Sequence, residues 1–177
     1  LVTILSYMEN NKEDAYKYIT DIIGVYQNKT EIIHTGYPEI DGLLNFKFYP
    51  ALEEGTKINA KVTLPLNMTF PSFDLTVILG NLIDNALEAI ALVEENKFID
   101  FKMNYSKGMM VIKISNPYKN ALNMENGKLI TSKKDKTNHG LGLKSINEIL
   151  KRYNGITEIE TDENTFTITA ALYLKQS

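Results

Sequence analysis

The sequence contains no cysteine, no excess of basic residues and no long apolar run. The missing cysteines exclude disulfides, thiolate metal sites and cysteine nucleophiles, and they favour a reducing compartment such as the cytoplasm. A formal net charge of -3 gives no overall attraction to nucleic acid or to an anionic membrane. No segment approaches the roughly 18 consecutive apolar residues of a membrane span, and the N-terminus lacks the basic flank of a signal peptide. We therefore expect no nucleic-acid partner and no membrane span within this chain.

The 177 residues, of which 44% are hydrophobic, suit one compact domain with some attached structure. The chain begins LVTILSYME, without an initiator Met and already in a helical pattern, which indicates a fragment of a longer protein. Apolar spacing predicts a helical hairpin over residues 1–37. The pattern changes near Pro38, so we predict a second domain over residues 38–177.

Within this second domain, helical periodicity predicts three helices, at about residues 39–54, 72–95 and 143–153. Pro50 is expected to kink or interrupt the first helix and Gly55 to follow it as a C-cap, while Ser72 is expected to cap the second helix. Asn154 and Gly155 are expected to end the third helix.

Alternating polar and apolar residues predict five strands, in INAKVTL, FIDFKMNY, MVIKISN, ITEIET and TFTITAALYL. The second and third strands are predicted to form a hairpin with its turn at residues 106–108. The polar stretch of residues 117–138 is predicted to be a long loop. The order of elements predicts an α+β fold, a two-layer sandwich with helices on one face of a mixed, mostly antiparallel sheet.

The segment LGNLIDNALEA, Leu79–Ala89, lies in the second predicted helix and has an unusual polar face. The apolar residues cover one broad sector of this helix, and the other sector carries Asp74, Val77, Asn81, Asp84, Asn85 and Glu88. A solvated face usually contains Lys or Arg paired with Glu, but this sector contains no cation. Amide and carboxylate oxygens suit a magnesium ion that shares its remaining positions with phosphate oxygens. The face is therefore either the lining of such a site or a solvent-facing stripe that lacks lysine.

A second candidate region is HGLGLKSI, residues 139–146. Gly140 and Gly142 stand just before the third predicted helix, where backbone amides and the helix dipole favour an anion such as phosphate. A lone G-x-G, however, more often belongs to a loop that only leads into a helix. The preceding TSKKDK supplies hydroxyls and lysines that either fold over phosphates or form a solvated basic loop.

Taken together in this order and spacing, these stretches resemble the ATP-binding domain shared by gyrase, the Hsp90 chaperone, sensor histidine kinases and MutL. LGNLIDNALEA resembles the N box of that domain, ISNPY stands at the position of the first glycine box, and TSKKD and HGLGL resemble the second glycine box and the segment before it. Within this superfamily the chain looks most like sensor histidine kinases of the peptide-pheromone receptor type, over essentially its whole length. The resemblance implies a Bergerat-type ATP-binding fold preceded by a helical hairpin.

The resemblance also implies roles for individual residues. Asn85 would be the magnesium ligand that bridges the ATP phosphates, Asn81 would face the nucleotide beside it, and Asp84 and Glu88 would be further contacts. Backbone amides of the second glycine box would surround the phosphates, and the lysine and serine before it would close over them. The remaining implied nucleotide contacts are Asn116, Ser132, Lys133, His139, Gly140, Leu141, Gly142 and Leu143.

Two positions depart from the common histidine kinase pattern. Val77 stands where most of these kinases have an acid four residues before the first N-box asparagine, so no general base is available there. The first glycine box is replaced by Asn116, Pro117 and Tyr118, as in the pheromone-receptor group. Asn116 is expected to accept the hydrogen bond of the adenine amino group through its side-chain oxygen.

The function implied by the resemblance is the catalytic part of a two-component sensor histidine kinase. It would bind Mg-ATP and transfer the γ-phosphate to a histidine that precedes Leu1, from which a response-regulator protein would receive it. Residues 1–37 would be part of a homodimerisation region, His34 an ordinary surface histidine, and the chain a cytoplasmic domain anchored to the membrane only through upstream segments. A scaffold module without productive ATP use is the alternative, and Val77 disfavours an ATPase of the gyrase or MutL kind.

Overall fold

The computed structural model describes residues 33–66, 68–119, 123–125, 128–130, 139–162 and 164–174. The predicted N-terminal hairpin therefore lies outside the described residues, apart from residues 33–37. The elements in chain order are α1 (Pro38–Glu53), β1 (Lys57–Thr63), α2 (Ser72–Ala91), β2 (Phe98–Ser106), β3 (Met109–Pro117), β4 (Asn123–Glu125), β5 (Lys128–Ile130), α3 (His139–Arg152), β6 (Ile156–Thr161) and β7 (Thr165–Tyr173). None of the helices within the described part of the chain is long and apolar enough to cross a membrane.

Five strands form one sheet in the order β1-β2-β3-β7-β6. β1 and β2 are parallel, and the other three strand pairs are antiparallel. The three helices pack against one another and against this sheet. The predicted α+β sandwich with a mixed, mostly antiparallel sheet is therefore confirmed.

The core lies between the helices and one face of the sheet, because alternate residues of each strand point to the same side. This alternation buries Ile99, Phe101 and Met103 on β2 and the apolar residues Met110, Ile112 and Ile114 on β3. Register then aligns Phe101 with Ile114 and Ile114 with Ile168, so the apolar positions of neighbouring strands form continuous rows. The residues between them face away from the helices.

The helices bury one apolar side each. α1 contributes Ile40, Leu44 and Phe48 to the core, and α2 contributes eight buried residues, of which Asp74 is the only charged one. The Phe48 ring meets the Phe101 ring of β2 edge to face, with centroids 5.7 Å apart, which joins the helix layer to the sheet. The strong apolar periodicity of α2 thus reflects its central position in the helix layer.

Two predictions concern the first helix, namely an interruption or kink at Pro50 and a C-cap at Gly55. Pro50 does not interrupt α1, which continues to Glu53; the proline stands in the last turns, where the loss of one N–H removes a single helical hydrogen bond. Gly55 follows the helix with a φ of 83°, and its N–H donates to the Leu52 carbonyl at 2.9 Å. The cap position itself is held by Glu54, and Gly55 is the left-handed residue one position beyond it, so the predicted C-cap was placed one residue too late.

The ends of the second helix were predicted less well. Ser72 is its first residue rather than its cap, since Pro71 holds the cap position and its carbonyl accepts the Leu75 N–H at 3.0 Å. The helix ends at Ala91 instead of near Glu95, and Asn96 has a left-handed φ of 57° before β2 begins. Leu92 N–H turns back to the Ala89 carbonyl at 3.2 Å, which tightens and closes the last turn.

Two further predictions concern the β2–β3 turn, which was predicted correctly, and the polar stretch of residues 117–138, which was predicted only in part. The predicted β2–β3 hairpin is confirmed, with Lys107 and Gly108 both at positive φ as a tight hairpin turn requires. The polar stretch of residues 117–138 is not wholly a loop, because it contains the short antiparallel pair β4–β5. Three-residue strands carry too little alternation to be recognised in a sequence.

Candidate functional site

The central feature of the site is the face of α2 that carries Asn81 and Asn85. Residues four apart lie one above the other on the same side of a helix, about one turn of 5.4 Å apart. Both asparagines are half-buried. The Asn81 amide donates to the Val77 carbonyl at 2.8 Å, whereas the Asn85 side chain has no hydrogen-bond partner among the described residues. Asn85 is therefore available to a ligand, and Asn81 is oriented by its own helix.

Asn81 also meets the second predicted motif. A Cβ atom placed on Gly142 would lie 3.0 Å from Asn81 Oδ1 and 3.6 Å from its Cγ. Because real Cβ contacts are rarely that short, a glycine at position 142 permits α3 to approach α2 at this point. Two segments that are far apart in the sequence, LGNLIDNALEA and HGLGL, are thus in contact. The N-terminal turn of α3 lies beside the asparagine face of α2.

The third helix, which contains the second motif HGLGLKSI, starts earlier than predicted. α3 runs from His139 to Arg152, so Gly140 and Gly142 belong to its first turn instead of preceding it. The first four N–H groups of a helix have no acceptor within that helix. Those of residues 139–142 are such groups, and together with the positive end of the helix dipole they favour an anion. The amides expected from a glycine loop are therefore the N-terminal amides of α3.

Asn116 lies on the core face of β3, at the end of that strand, and is only 1% exposed. Its side-chain Nδ2 donates to the Pro117 carbonyl at 2.9 Å, which fixes the orientation of the amide. The side-chain oxygen accepts no hydrogen bond within the described residues. An oriented carboxamide oxygen at the end of a strand can accept a hydrogen bond from a ligand that offers an N–H donor.

Asp84 has a partner on another helix. Lys47 Nζ of α1 lies 2.6 Å from Asp84 Oδ1, with the lysine side chain 24% exposed and the aspartate side chain 50% exposed. This face of α2 carries no cation of its own, and the cation that pairs with Asp84 comes from α1. Asp84 therefore links α1 to α2, while Glu88, one turn further along, is exposed.

A third acid of this face, Asp74, is buried in the first turn of α2. Its carboxylate accepts a hydrogen bond from Arg152 Nη2 at 2.8 Å and another from the Tyr153 hydroxyl at 2.6 Å. Burial, and then the hydrogen bond to Asp74, raise the pKa of Tyr153 above its usual value. This three-residue cluster, the Asp74 clamp, holds the end of α3 against the start of α2.

For several predicted site residues the structure describes only the backbone or does not describe the residue at all. Ser132 and Lys133 fall outside the described residues. For His139, Gly140 and Leu141 only the helical backbone is described, and Leu143 is half-buried. Among the described residues no group of three or more His, Asp or Glu side chains could hold a metal ion. His34 is a surface histidine as predicted, with 76% of its side chain exposed and Nδ1 3.6 Å from Asp41 Oδ2.

Lys47 and Arg152 were not identified from the sequence as partners of the acidic face. Lys47 precedes Asp84 by 37 residues and Arg152 follows Asp74 by 78 residues. Neither residue stands in a recognisable motif, and local spacing carries no information about a partner on another helix. The missing cation on α2 is the only signal in the sequence that such partners were needed.

A family model described as GHKL domain (HATPase_c_5) matches residues 70–172. The match includes α2, the whole of β2 and β3, and α3, and therefore contains Asn81, Asn85, Asn116 and Gly142. No curated protein sequence matches the chain.

Solved structures of histidine kinases share the fold. The catalytic domain of histidine kinase ThkA, in a nucleotide-free form, has a TM-score of 0.56 at 19% identity and covers 76% of this chain and 92% of its own. The blue-light activated histidine kinase EL346 of Erythrobacter litoralis has a TM-score of 0.57 at 9% identity, covering 76% and 40%. The Acinetobacter baumannii histidine kinase AdeS has a TM-score of 0.52 at 14% identity, covering 98% and 93%. At these identities the similarity establishes the fold.

Proposed function

The chain belongs to the GHKL domain family, and from that premise we propose that it is the catalytic, ATP-binding part of a two-component sensor histidine kinase. The observation that supports this most directly is the contact between Asn81 and Gly142. It brings an asparagine face to the same side of the molecule as a set of helix-terminal amides that have no acceptor within their own helix. Such a combination of a hard oxygen donor with anion-binding amides suits the metal-bound phosphates of ATP.

In this proposal each part of the site binds one part of Mg-ATP. Asn85 supplies a carboxamide oxygen to magnesium, and the Asn81 side chain lies beside it and faces the nucleotide. The amides of Gly140, Leu141 and Gly142 bind the phosphate oxygens, Leu143 lies beside them in the following turn of α3, and Asn116 accepts a hydrogen bond from the adenine amino group. Asp84, Glu88, Ser132, Lys133 and His139 are further contacts at the rim of the site.

The donor set fits a magnesium nucleotide. Magnesium prefers oxygen ligands, keeps several waters and shares its coordination sphere with phosphates, so one protein carboxamide is enough. When bound, magnesium neutralises phosphate charge. The residues of this chain would hold the γ-phosphate in line with the attacking histidine nitrogen and exclude water from it, and positioning of this kind accounts for most phosphoryl-transfer catalysis.

The partners of the proposed kinase are those implied by its resemblance to sensor histidine kinases. The γ-phosphate is transferred to a histidine N-terminal to Leu1, and a response-regulator protein receives it next. The full-length protein is proposed to act as a homodimer through the region that includes residues 1–37. This chain is then a cytoplasmic domain of a membrane-anchored receptor, of the peptide-pheromone type.

A second candidate function is a signalling scaffold that keeps the fold without using ATP. The observation that favours it is the sequence after β3, where Asn116, Pro117 and Tyr118 replace a glycine-containing nucleotide loop. A proline there restricts the backbone and removes one N–H donor. The scaffold would signal by contact with its partner and would have no nucleotide affinity.

Titration calorimetry with Mg-ATP and with a non-hydrolysable analogue tests both candidates. We expect the chain to bind both nucleotides, and Asn85→Ala to weaken binding at least about tenfold through the loss of one metal ligand, roughly 1.4 kcal/mol. Asn59→Ala is the matched control, because Asn59 is an exposed residue on β1. Circular dichroism should give the same folded spectrum for all three proteins.

The possible outcomes separate the hypotheses. Equal magnesium-dependent affinity for the parent chain and Asn85→Ala would move the metal site elsewhere. If the folded parent chain bound neither nucleotide at millimolar concentration, the scaffold would be the remaining candidate function.

A further inference from the structure

The face of the sheet that points away from the helices carries an ordered pattern of charge. Strand register places Lys61 of β1 opposite Lys102 of β2, and Lys102 opposite Lys113 of β3. Directly opposed cross-strand residues have Cβ atoms roughly 5 Å apart, and like charges at such positions are destabilising. We call these three residues the lysine row.

The lysine row is only partly neutralised within the fold. Lys113 Nζ lies 3.2 Å from Glu160 Oε2 of β6. Lys61 and Lys102 are exposed, and neither has an ion-pair partner among the described residues. Two adjacent, uncompensated lysines on a flat strand surface, in a chain whose net charge is negative, indicate a surface that meets opposite charge.

The opposite charge lies on the other edge of the same face. Lys113 is aligned with Thr169 of β7, and Thr169 with Glu158 of β6, so the lysine row ends on an acidic residue. Glu158 is exposed, and the Glu160 side chain is 60% exposed. One edge of the face is therefore basic and the other is acidic.

Exposed apolar residues occupy the adjoining rows of this face. Ile156 is 67% exposed and Tyr173 is 55% exposed. Register aligns Ile156 with Ala171 and Ala171 with Val111, and it aligns Tyr173 with Met109. In these rows the central strands β3 and β7 carry Met109, Val111, Ala171 and Tyr173, next to Lys113 and Thr169 in the row of charges.

We propose that this sheet face binds the same face of a second copy of the chain. A two-fold axis parallel to the strands and between β3 and β7 reverses the strand order of the partner, so that β3 lies over β7 and β2 over β6 of the other copy. Lys61 and Lys102 of each copy then approach the partner's acidic edge, and the apolar residues of β3 and β7 meet at the centre. A face with basic, apolar and acidic zones in that order is complementary to itself under this symmetry.

Charge reversal followed by mixing tests the proposal on the 177-residue chain. One variant carries Lys61→Glu with Lys102→Glu, and the other carries Glu158→Lys. In sedimentation equilibrium each variant alone should self-associate at least tenfold more weakly than the parent chain, because like charges then face each other. An equimolar mixture should regain the parent affinity, because both sets of contacts are complementary again. A variant with Lys144→Glu and Lys151→Glu is the control, with the same change in net charge on α3.

Association through residues 1–37 would be insensitive to all of these changes, so it is distinguished from the proposed interface. A parent chain that stays monomeric, or whose association is the same in all variants, would overturn the proposal. The same holds if the mixture associates no better than the variants alone. Binding of the parent chain to anionic vesicles or to nucleic acid, lost in Lys61→Glu with Lys102→Glu and without self-association, would assign the lysine row to a different partner and also reject the proposal.

Discussion

At the residue scale, two glycines of the helix layer stand in different surroundings. A Cβ on Gly142 would lie 3.0 Å from Asn81 Oδ1, whereas a Cβ on Gly80, one residue before that asparagine, would meet nothing within 4 Å. Alanine is favoured over glycine within a helix by about 1 kcal/mol. Crowding of a packed side chain costs about 1–3 kcal/mol. At Gly142 the helix preference for alanine and the crowding of Asn81 oppose each other. At Gly80 only the helix preference for alanine acts.

We therefore expect Gly80→Ala to raise the free energy of unfolding by about 0.5–1 kcal/mol and to leave Mg-ATP affinity unchanged. Gly142→Ala should bring no gain in stability and should weaken nucleotide binding about fivefold or more, because Asn81 has to move. Urea denaturation and nucleotide titration measure the two quantities on the same samples. Equal behaviour of the two variants would mean that the Asn81–Gly142 contact has no part in binding.

How much of the site was predictable depends on how local its determinants are. Helical periodicity was enough to place Asn81 and Asn85 on one face, and the glycines of HGLGL indicated the region of the α3 N-terminus, although the helix begins at His139 instead of Leu143. The contacts of Asp84 with Lys47 and of Asp74 with Arg152 were not predictable, because each joins two helices whose relative placement is set by the packing of the whole layer. Periodicity within one helix could identify Asp74 as polar but could not indicate that it is buried.

At the scale of elements, the Asp74 clamp joins the first turn of α2 to the end of α3. The Tyr153 hydroxyl donates to Asp74 Oδ2 at 2.6 Å, and the pKa of Tyr153 is raised from its ordinary value of 10.0, chiefly by burial. A group whose pKa is higher in the folded state contributes stability below its unfolded pKa and loses that contribution as the pH rises through the folded value. The clamp should therefore weaken in alkaline solution, as the tyrosine ionises beside a carboxylate.

Tyr153→Phe tests this pH dependence. Near neutral pH the variant should be less stable than the parent chain by about 1 kcal/mol, through loss of one hydrogen bond to a charged acceptor that is partly solvent-screened. The difference should stay constant up to about pH 9 and shrink as the pH rises past about 10 and through the raised pKa of Tyr153, because the phenylalanine cannot ionise. Urea denaturation at several pH values measures it, with Tyr173→Phe as an exposed control. A difference that stays constant with pH would exclude the clamp as its source.

The boundaries of the elements were harder to predict than their existence. The strand alternation and the turn residues at positions 106–108 were sufficient for the β2–β3 hairpin. The end of α2 was predicted about four residues too late, because Leu92–Glu95 continues a helix-compatible composition, and only the turn back to the Ala89 carbonyl ends it. The first turn of α3 was missed for a related reason, since glycines are read as loop residues although they begin this helix.

At the scale of the whole molecule, two layers are held together by a core that both layers supply. Strand alternation predicted which residues face the helices, and the number and type of elements predicted the α+β class. The strand order β1-β2-β3-β7-β6 was not predicted, because the sequence does not specify the pairing of β3 with β7, which closes a long connection through α3. Register, which aligns the lysine row, depends on the β2–β3 hairpin and on the β1–β2 crossover.

The clearest link between the layers is Phe48 of α1, which is fully buried and meets the fully buried Phe101 of β2. Truncating a buried phenylalanine removes apolar contact and leaves a cavity, at a cost of about 3–5 kcal/mol. Phe73→Ala is the matched control, because Phe73 is 79% exposed and its truncation should cost under about 0.5 kcal/mol.

In urea denaturation, Phe48→Ala should lower the midpoint strongly with an unchanged slope, since a domain of this size typically has only about 5–15 kcal/mol of stability. Far-UV circular dichroism in the absence of urea establishes that each variant starts folded; if Phe48→Ala does not, Phe48→Leu provides a milder truncation of the same contact. A loss for Phe48→Ala as small as that for Phe73→Ala would mean that α1 does not hold the helix layer to the sheet. Lys47 and Asp84 would then be the remaining described ion pair between α1 and α2, and an ion pair half open to solvent stabilises a fold by less than about 1 kcal/mol. The buried aromatic pair should therefore dominate the attachment of α1.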